Sequence, residues 1–129
     1  MSKNQISRHD LAMGKVMLTG AFADLRKQGF MAKQNCMCCS GCACAKIWTE
    51  IQKKPGKYIG AVYYHKQDTD HLKESGEFCV GFGPMNVDAE DWVWLLAGHA
   101  AKTTFERYGL AVEWSGSRDQ RLTIKLPRA

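Results

Sequence analysis

The sequence predicts an α+β domain in which a mostly antiparallel sheet of four or five strands carries helices packed on one side. Three observations support this. Apolar residues recur at helical spacing over long stretches, they alternate with small or polar residues over short ones, and glycines or prolines stand at the junctions. No repeat or Gly/Ser linker divides the 129 residues. One domain over 1–129 follows, with an N-terminal helix over 1–29 and a sheet-containing core over 30–129.

The first helix is expected from Ser7 to Gln28, where Leu11, Leu18, Phe22 and Leu25 share a stripe and Gly29 stands at the C-terminal cap position. A short strand, Phe30 to Asn35, leads into a run of cysteines. Helix signals resume near Cys42, carry Ile47, Trp48 and Ile51, and stop at Pro55-Gly56. Tyr58 to His65 reads as a central strand with two apolar faces. Phe78, Val80 and Phe82 alternate with Cys79, Gly81 and Gly83, a small second face that lets a helix or another backbone approach closely. Asp88 to Tyr108 is the strongest helix, with Asp88 and Asp91 at its positive end and Gly109 at its stop. Two strands close the chain: Leu110, Val112 and Trp114 share one face, and Leu122, Ile124 and Leu126 another, across a polar Ser115–Asp119 turn.

Five of the six cysteines fall between Cys36 and Cys44. Met1 to Asp10 are polar, without an apolar segment for secretion, and no apolar run is long enough to span a bilayer. A cytoplasmic location is expected, where cysteines stay reduced unless they are catalytic, redox-sensing or metal-bound. Cys39-Ser-Gly-Cys42 has the spacing of one zinc knuckle, since two intervening residues let both sulfurs turn to one ion. A second C-x-x-C is missing, so Cys36 or Cys38 and a distant group such as His65 or Cys79 must complete a zinc site. Cys36-x-x-Cys39-x-x-Cys42 also opens like a bacterial ferredoxin motif, but Lys46 stands where the next cysteine belongs and Cys79 would have to serve. Zinc is therefore preferred to an iron–sulfur cluster. A third chemistry is thiol redox, with Cys39 attacking and Cys42 resolving at a helix start. Cys44 and Cys79 individually read as packing residues.

His65 follows the central strand with Asp68, Asp70 and His71 close behind, and histidine beside carboxylate suits metal binding or acid–base work. His65 shares strand parity with Ile59, Ala61 and Tyr63, so it faces inward and needs Asp68 or a metal as partner. Asp68 is expected either to orient that imidazole or to cap a short helix, leaving Asp70 and His71 in water. His99 reads as a hydrogen-bonded core residue. Trp92 and Trp94 lie about 200° apart around a helix, so one faces the core and Trp94 is expected at an interface, with a symmetric dimer or a protein partner covering it. The net charge of +5 is concentrated in Lys53, Lys54 and Lys57 and in Arg118, Arg121, Lys125 and Arg128. Those patches could attract nucleic acid, although a solvated surface is the commoner outcome.

Gln34-Asn35 leading to Cys38-Cys39-x-x-Cys42, then Tyr63-Tyr64-His65-Lys66-Gln67-Asp68-Thr69, then Gly109-Leu110-Ala111-Val112-Glu113-Trp114-Ser115-Gly116, resembles a bacterial family labelled domain of unknown function 6891. The resemblance covers roughly Phe30 to Leu126. It implies no established activity, and draws attention to Cys38, Cys39, Cys42, His65 and Asp68 together. The expected function is a small metal-binding module, most plausibly for zinc and without catalysis. A thiol-redox enzyme or sensor, or an interaction module whose cysteines merely pack, are the alternatives.

Overall fold

The computed structural model describes residues 5–35, 49, 53, 58–83 and 90–128. Among them the order is α1 (Arg8–Gln28), β1 (Phe30–Lys33), β2 (Gly60–Tyr63), α2 (Lys66–Ser75), β3 (Glu77–Gly83), α3 (Asp91–Arg107), β4 (Ala111–Glu113) and β5 (Leu122–Lys125). The strands form one five-stranded sheet in the order β1-β2-β3-β5-β4. It is antiparallel except for β1 and β2, which run parallel from Phe30↔Gly60 to Lys33↔Tyr63. The α+β class with a mostly antiparallel sheet is as expected, and the parallel pair makes the sheet mixed.

α1 begins where Ser7 accepts the Asp10 amide at 3.1 Å, which satisfies one of the free N–H groups of the first turn. It ends at Gly29, whose φ of 106° only glycine adopts without strain. Leu18, Ala21, Phe22 and Leu25 of α1 are fully buried, as are Ala97, Ala101 and Phe105 of α3. Both helices pack against the sheet face built from Val62, Phe78, Val80, Phe82, Leu122 and Ile124. Each large side chain withdrawn from water there contributes roughly 1.5–3 kcal/mol. Tyr64 sits at the centre, edge-on to Phe22 at 5.5 Å and to Phe78 at 5.0 Å, with its hydroxyl accepting from Gln34 Nε2 at 3.2 Å.

Several elements differ from expectation. The central strand is shorter than Tyr58 to His65: Ile59 donates its N–H to Gly29 but its side chain is 53% exposed, and beyond Tyr63 the chain turns into α2. On the small second face of β3, Trp94 of α3 closes over Gly83, while Gly81 is covered by neither a helix nor a backbone. The ring of Tyr63 from β2 lies over it, and a Cβ on Gly81 would stand 2.7 Å from that ring. α3 starts at Asp91, with Glu90 at the cap position, while Asp88 lies outside the described residues. The helix expected from near Cys42 to Pro55-Gly56 also lies outside them, apart from Thr49 and Lys53, which are helical.

The two tryptophans of α3 differ in exposure. Trp92 is 64% exposed and donates to Glu90 at 2.7 Å, so it is not a core residue. Trp94 is half-buried: its ring covers Gly83 and carries the Arg118 guanidinium 4.3 Å above it. His99 is exposed, not core, and stands edge-on to Trp114 at 4.9 Å. Gly98, one position earlier, is what lets Trp114 and Phe82 close over α3.

Gly98→Ala should therefore lower stability despite replacing a poor helix former. The helix gains about 1 kcal/mol, but the new methyl would lie 2.7 Å from Trp114, whose indole N–H is tied to two carbonyls at 3.0 Å. Overpacking of that kind costs roughly 1–3 kcal/mol. Urea unfolding should show a net loss, and a variant as stable as the parent would mean that Trp114 moves freely.

Tyr64 makes stability depend on alkaline pH. Burial, and secondarily the Asp68 charge, raise its pKa above the usual 10.0 and outweigh the Gln34 hydrogen bond. The native state thus holds this proton where the unfolded chain has released it. The contribution is fully present below the unfolded value and is lost as pH rises through the higher folded one. Unfolding measured from pH 9 upward should decline less steeply in Tyr64→Phe.

Candidate functional site

β2 and β3 run side by side until Tyr63↔Gly81, and then separate. Continued for two more residues, that register sets His65 opposite Cys79. No ladder bond joins them. The His65 N–H turns instead to Asp68 Oδ2 at 3.1 Å, and the Cys79 carbonyl accepts from Arg121 Nη2 at 3.1 Å. Arg121 Nη2 also reaches Asp68 Oδ2 at 2.6 Å, with Nη1 3.4 Å from Oδ1. The Asp68–Arg121 ion pair thus bridges the gap between the diverging strands.

His65 occupies the cap position of α2, and Asp68 is the third residue of its first turn, so Asp68 is not itself the cap. Its carboxylate reaches back to His65, one half of a capping box, in the helix end where negative charge is favoured. Both residues are only 4% exposed. His65 Nε2 lies 3.2 Å from Asp68 Oδ2, the imidazole–carboxylate pairing expected from the sequence. The reciprocal half of the box is loose. The ring stands toward the Asp68 amide, but Nδ1 is buried and meets hydrogen-bond geometry with no described group. Asp70 and His71 are exposed, as expected.

β1 and the two residues after it reach the start of this helix. Its last residue, Lys33, accepts the Tyr64 N–H at 3.2 Å, and two residues later Asn35 Oδ1 accepts the Thr69 hydroxyl at 2.7 Å. Asn35 has a φ of 51°, a left-handed conformation that asparagine tolerates better than most residues. Cys36 follows it in sequence. Cys36, Cys38, Cys39 and Cys42, the proposed thiol ligands, lie outside the described residues, as does Cys44. Among the described residues no group of three or more His, Cys, Asp or Glu side chains is placed to hold a metal ion.

Beside the ion pair opens a cleft of about 590 Å³ lined by His65, Asp68, His71, Glu77, Cys79 and Arg121, with Gln67, Ser75, Phe78 and Thr123 completing it. Its size falls within the range of small-ligand sites. Sequence reasoning missed two members. Arg121 was grouped with surface cations, and Cys79, weighed as a distant metal ligand, was read individually as packing. Cys79 is in fact half-buried in the cleft wall, 3.9 Å from the Thr123 hydroxyl. Strand alternation was the available signal, since Cys79 has the opposite parity to Phe78 and Val80.

The C-terminal basic patch is largely committed within the fold. Arg118 pairs with Asp91 at 2.8 Å, Arg121 with Asp68, and Lys125 with Glu113 at 2.7 Å. Arg128 donates to the carbonyls of Ser75 and Gln5. Glu113 raises the Lys125 pKa above its usual value, chiefly by accepting its hydrogen bond. No described helix is long and apolar enough to cross a membrane.

Fold and site together define a small α+β protein with a buried His65–Asp68 pair, joined by the part-exposed Arg121, beside an open cleft. The family described as "Domain of unknown function (DUF6891)" matches residues 17–127, and the chain belongs to that family. The match extends further back than the motifs suggested, taking in the second half of α1. No curated protein matches the chain, and no solved structure does.

Arg121→Met should destabilise the fold by about 2–3 kcal/mol. Removing one partner of a buried pair strands the other charge, and Arg121, 35% exposed, takes the lower part of that range. Adding Asp68→Asn should restore part of the loss. A double-mutant cycle in urea measures the coupling, and additive effects would show that the pair contributes nothing.

Proposed function

We propose that this chain is a non-catalytic metal-binding module, with zinc the ion best suited to its donors. Cys39 and Cys42, with Cys38 or Cys36, supply thiolates, and His65 adds an imidazole to complete four-coordination. Asp68 holds the ring through its other nitrogen, as carboxylates do behind metal-bound histidines. The cytoplasm, where thiols stay reduced, is the compartment this reading requires.

One observation carries the reading. His65 is buried with one nitrogen on a carboxylate and the other without a partner among the described residues, at the helix start that Asn35, the residue before Cys36, contacts through Thr69. A buried polar atom without a partner is costly. A borderline-soft cation shared with thiolates would satisfy it. The iron–sulfur alternative is supported less well, because Lys46 interrupts its motif.

Protein purified without added metal should contain one equivalent of zinc by elemental analysis. No stoichiometric zinc or iron, with all six thiols freely titratable, removes the reading. His65→Asn separates ligation from helix capping, because asparagine is a good cap residue but lacks the imidazole. It should leave the thermal midpoint of the metal-free chain nearly unchanged and weaken zinc binding at least about tenfold, on the scale of such perturbations. Undiminished binding in that variant would confine His65 to capping.

A further inference from the structure

α3 presents an uncharged stripe to solvent. Trp92, Leu96, His99 and Thr103 recur at i, i+4, i+7 and i+11, which places them within about 60° of one another around the helix. All four are exposed, Trp92 at 64% and Leu96 at 52%. Lys102 and Glu106 flank the stripe and pair with each other at 3.9 Å. A lone exposed apolar side chain needs no explanation. Here a protrusion and a hollow share one stripe. Trp92 stands at its N-terminal end. Toward the other end a hollow of about 260 Å³ opens between Gln28 of α1 and α3, with Ala100, Thr103 and Arg107 in its wall. That volume is below the roughly 300–1,000 Å³ of small-molecule sites and suits a single large side chain.

We infer that this face of α3 docks a second copy of the chain about a two-fold axis near Leu96. Such an axis runs the two helices antiparallel and makes the contact reciprocal. By position along the helix, Trp92 of each copy then stands opposite Ala100 of the other, over the hollow, while Leu96 meets Leu96. The Trp92 indole N–H donates to Glu90 at 2.7 Å, so the ring can leave water without stranding its polar atom. Glu90 is carried with it to the hollow that Arg107 lines. The Arg107 side chain is 58% exposed, with only Nη1 on Asp24, at 2.8 Å. An acidic group thus meets a basic one at both ends of the contact, and the antiparallel helix dipoles are complementary. This match between the two ends of one stripe is what a second copy uses and a different protein would not require. Trp94, the tryptophan expected at an interface, takes no part, since its ring carries Arg118. The stripe is smaller than the about 20–30 residues a side of a standard interface, so a weak, micromolar dimer is expected. It shares no residue with the cleft beside His65 and stands independently of metal binding.

Sedimentation velocity of the full chain over a range of concentrations should show a monomer–dimer equilibrium. Trp92→Ala removes both protrusions. Thr103→Glu fills both hollows, engages Arg107 four residues on, and sets a like charge against Glu90 of the other copy. Each should weaken dimerisation at least about thirtyfold, the scale of a lost anchor residue. Far-UV spectra should not change, since both residues are exposed. Mixing the two variants is the decisive step. The mixed pair keeps one intact contact, Trp92 of the Thr103→Glu chain in the open hollow of the Trp92→Ala chain. It should associate about fivefold more tightly than either variant alone, the square root of the single-variant loss. A parent that stays monomeric at its highest soluble concentration overturns the inference, as does a dimer that survives both substitutions. Variants that are each weakened but gain nothing on mixing also overturn it, because a reciprocal contact must be half restored.

Discussion

The Asp68 carboxylate organises one end of this molecule. It accepts the His65 amide at the start of α2, pairs with the His65 ring and receives the Arg121 guanidinium from the residue before β5. Through Arg121 it also reaches the Cys79 carbonyl of β3. Three segments distant in sequence therefore meet on one side chain. Taking a carboxylate out of water is unfavourable by several kcal/mol, and it persists here because both oxygens are engaged by donors. The consequence is positional. With the ladder between β2 and β3 released at its end, an ion pair and a cleft occupy space that backbone hydrogen bonds would otherwise close.

The same accounting changes the meaning of the positive charge. Three of the four C-terminal cations are ion-paired to Asp68, Asp91 or Glu113, and Arg128 is bonded to backbone carbonyls. Arg118 additionally lies over Trp94, so its charge is shared between a carboxylate and an aromatic face. A run of basic residues in sequence is here a set of fastenings between β5, the neighbouring turn and the helices. Counterion release on nucleic acid needs cations free to meet phosphates. These would first have to leave their partners.

Much of the fold was legible because it depends on local rules. Ser7 and Gly29 bounded α1 by capping chemistry, and the alternation of Phe78, Val80 and Phe82 marked the core face of β3. The expectation that Asp68 would serve His65 also held, since the two are three residues apart and a helix start brings such a pair together. The misplacements share a different cause. Trp92, His99 and Ile59 were assigned inward from residue type or parity, yet each is exposed.

Sequence alone determined the class of fold, most element boundaries, the thiol cluster and the pairing of His65 with Asp68, all of which follow from spacing along the chain. Only tertiary structure decided that β1 and β2 run parallel, that Arg121 is the counterion of Asp68, and that Cys79 faces the cleft beside His65. Those facts depend on strand order and register, which bring together residues 53 positions apart for Asp68 and Arg121. Periodicity reports which face a side chain occupies. It carries no information about which strand lies alongside, because that choice is made by the packing of the whole sheet against α1 and α3.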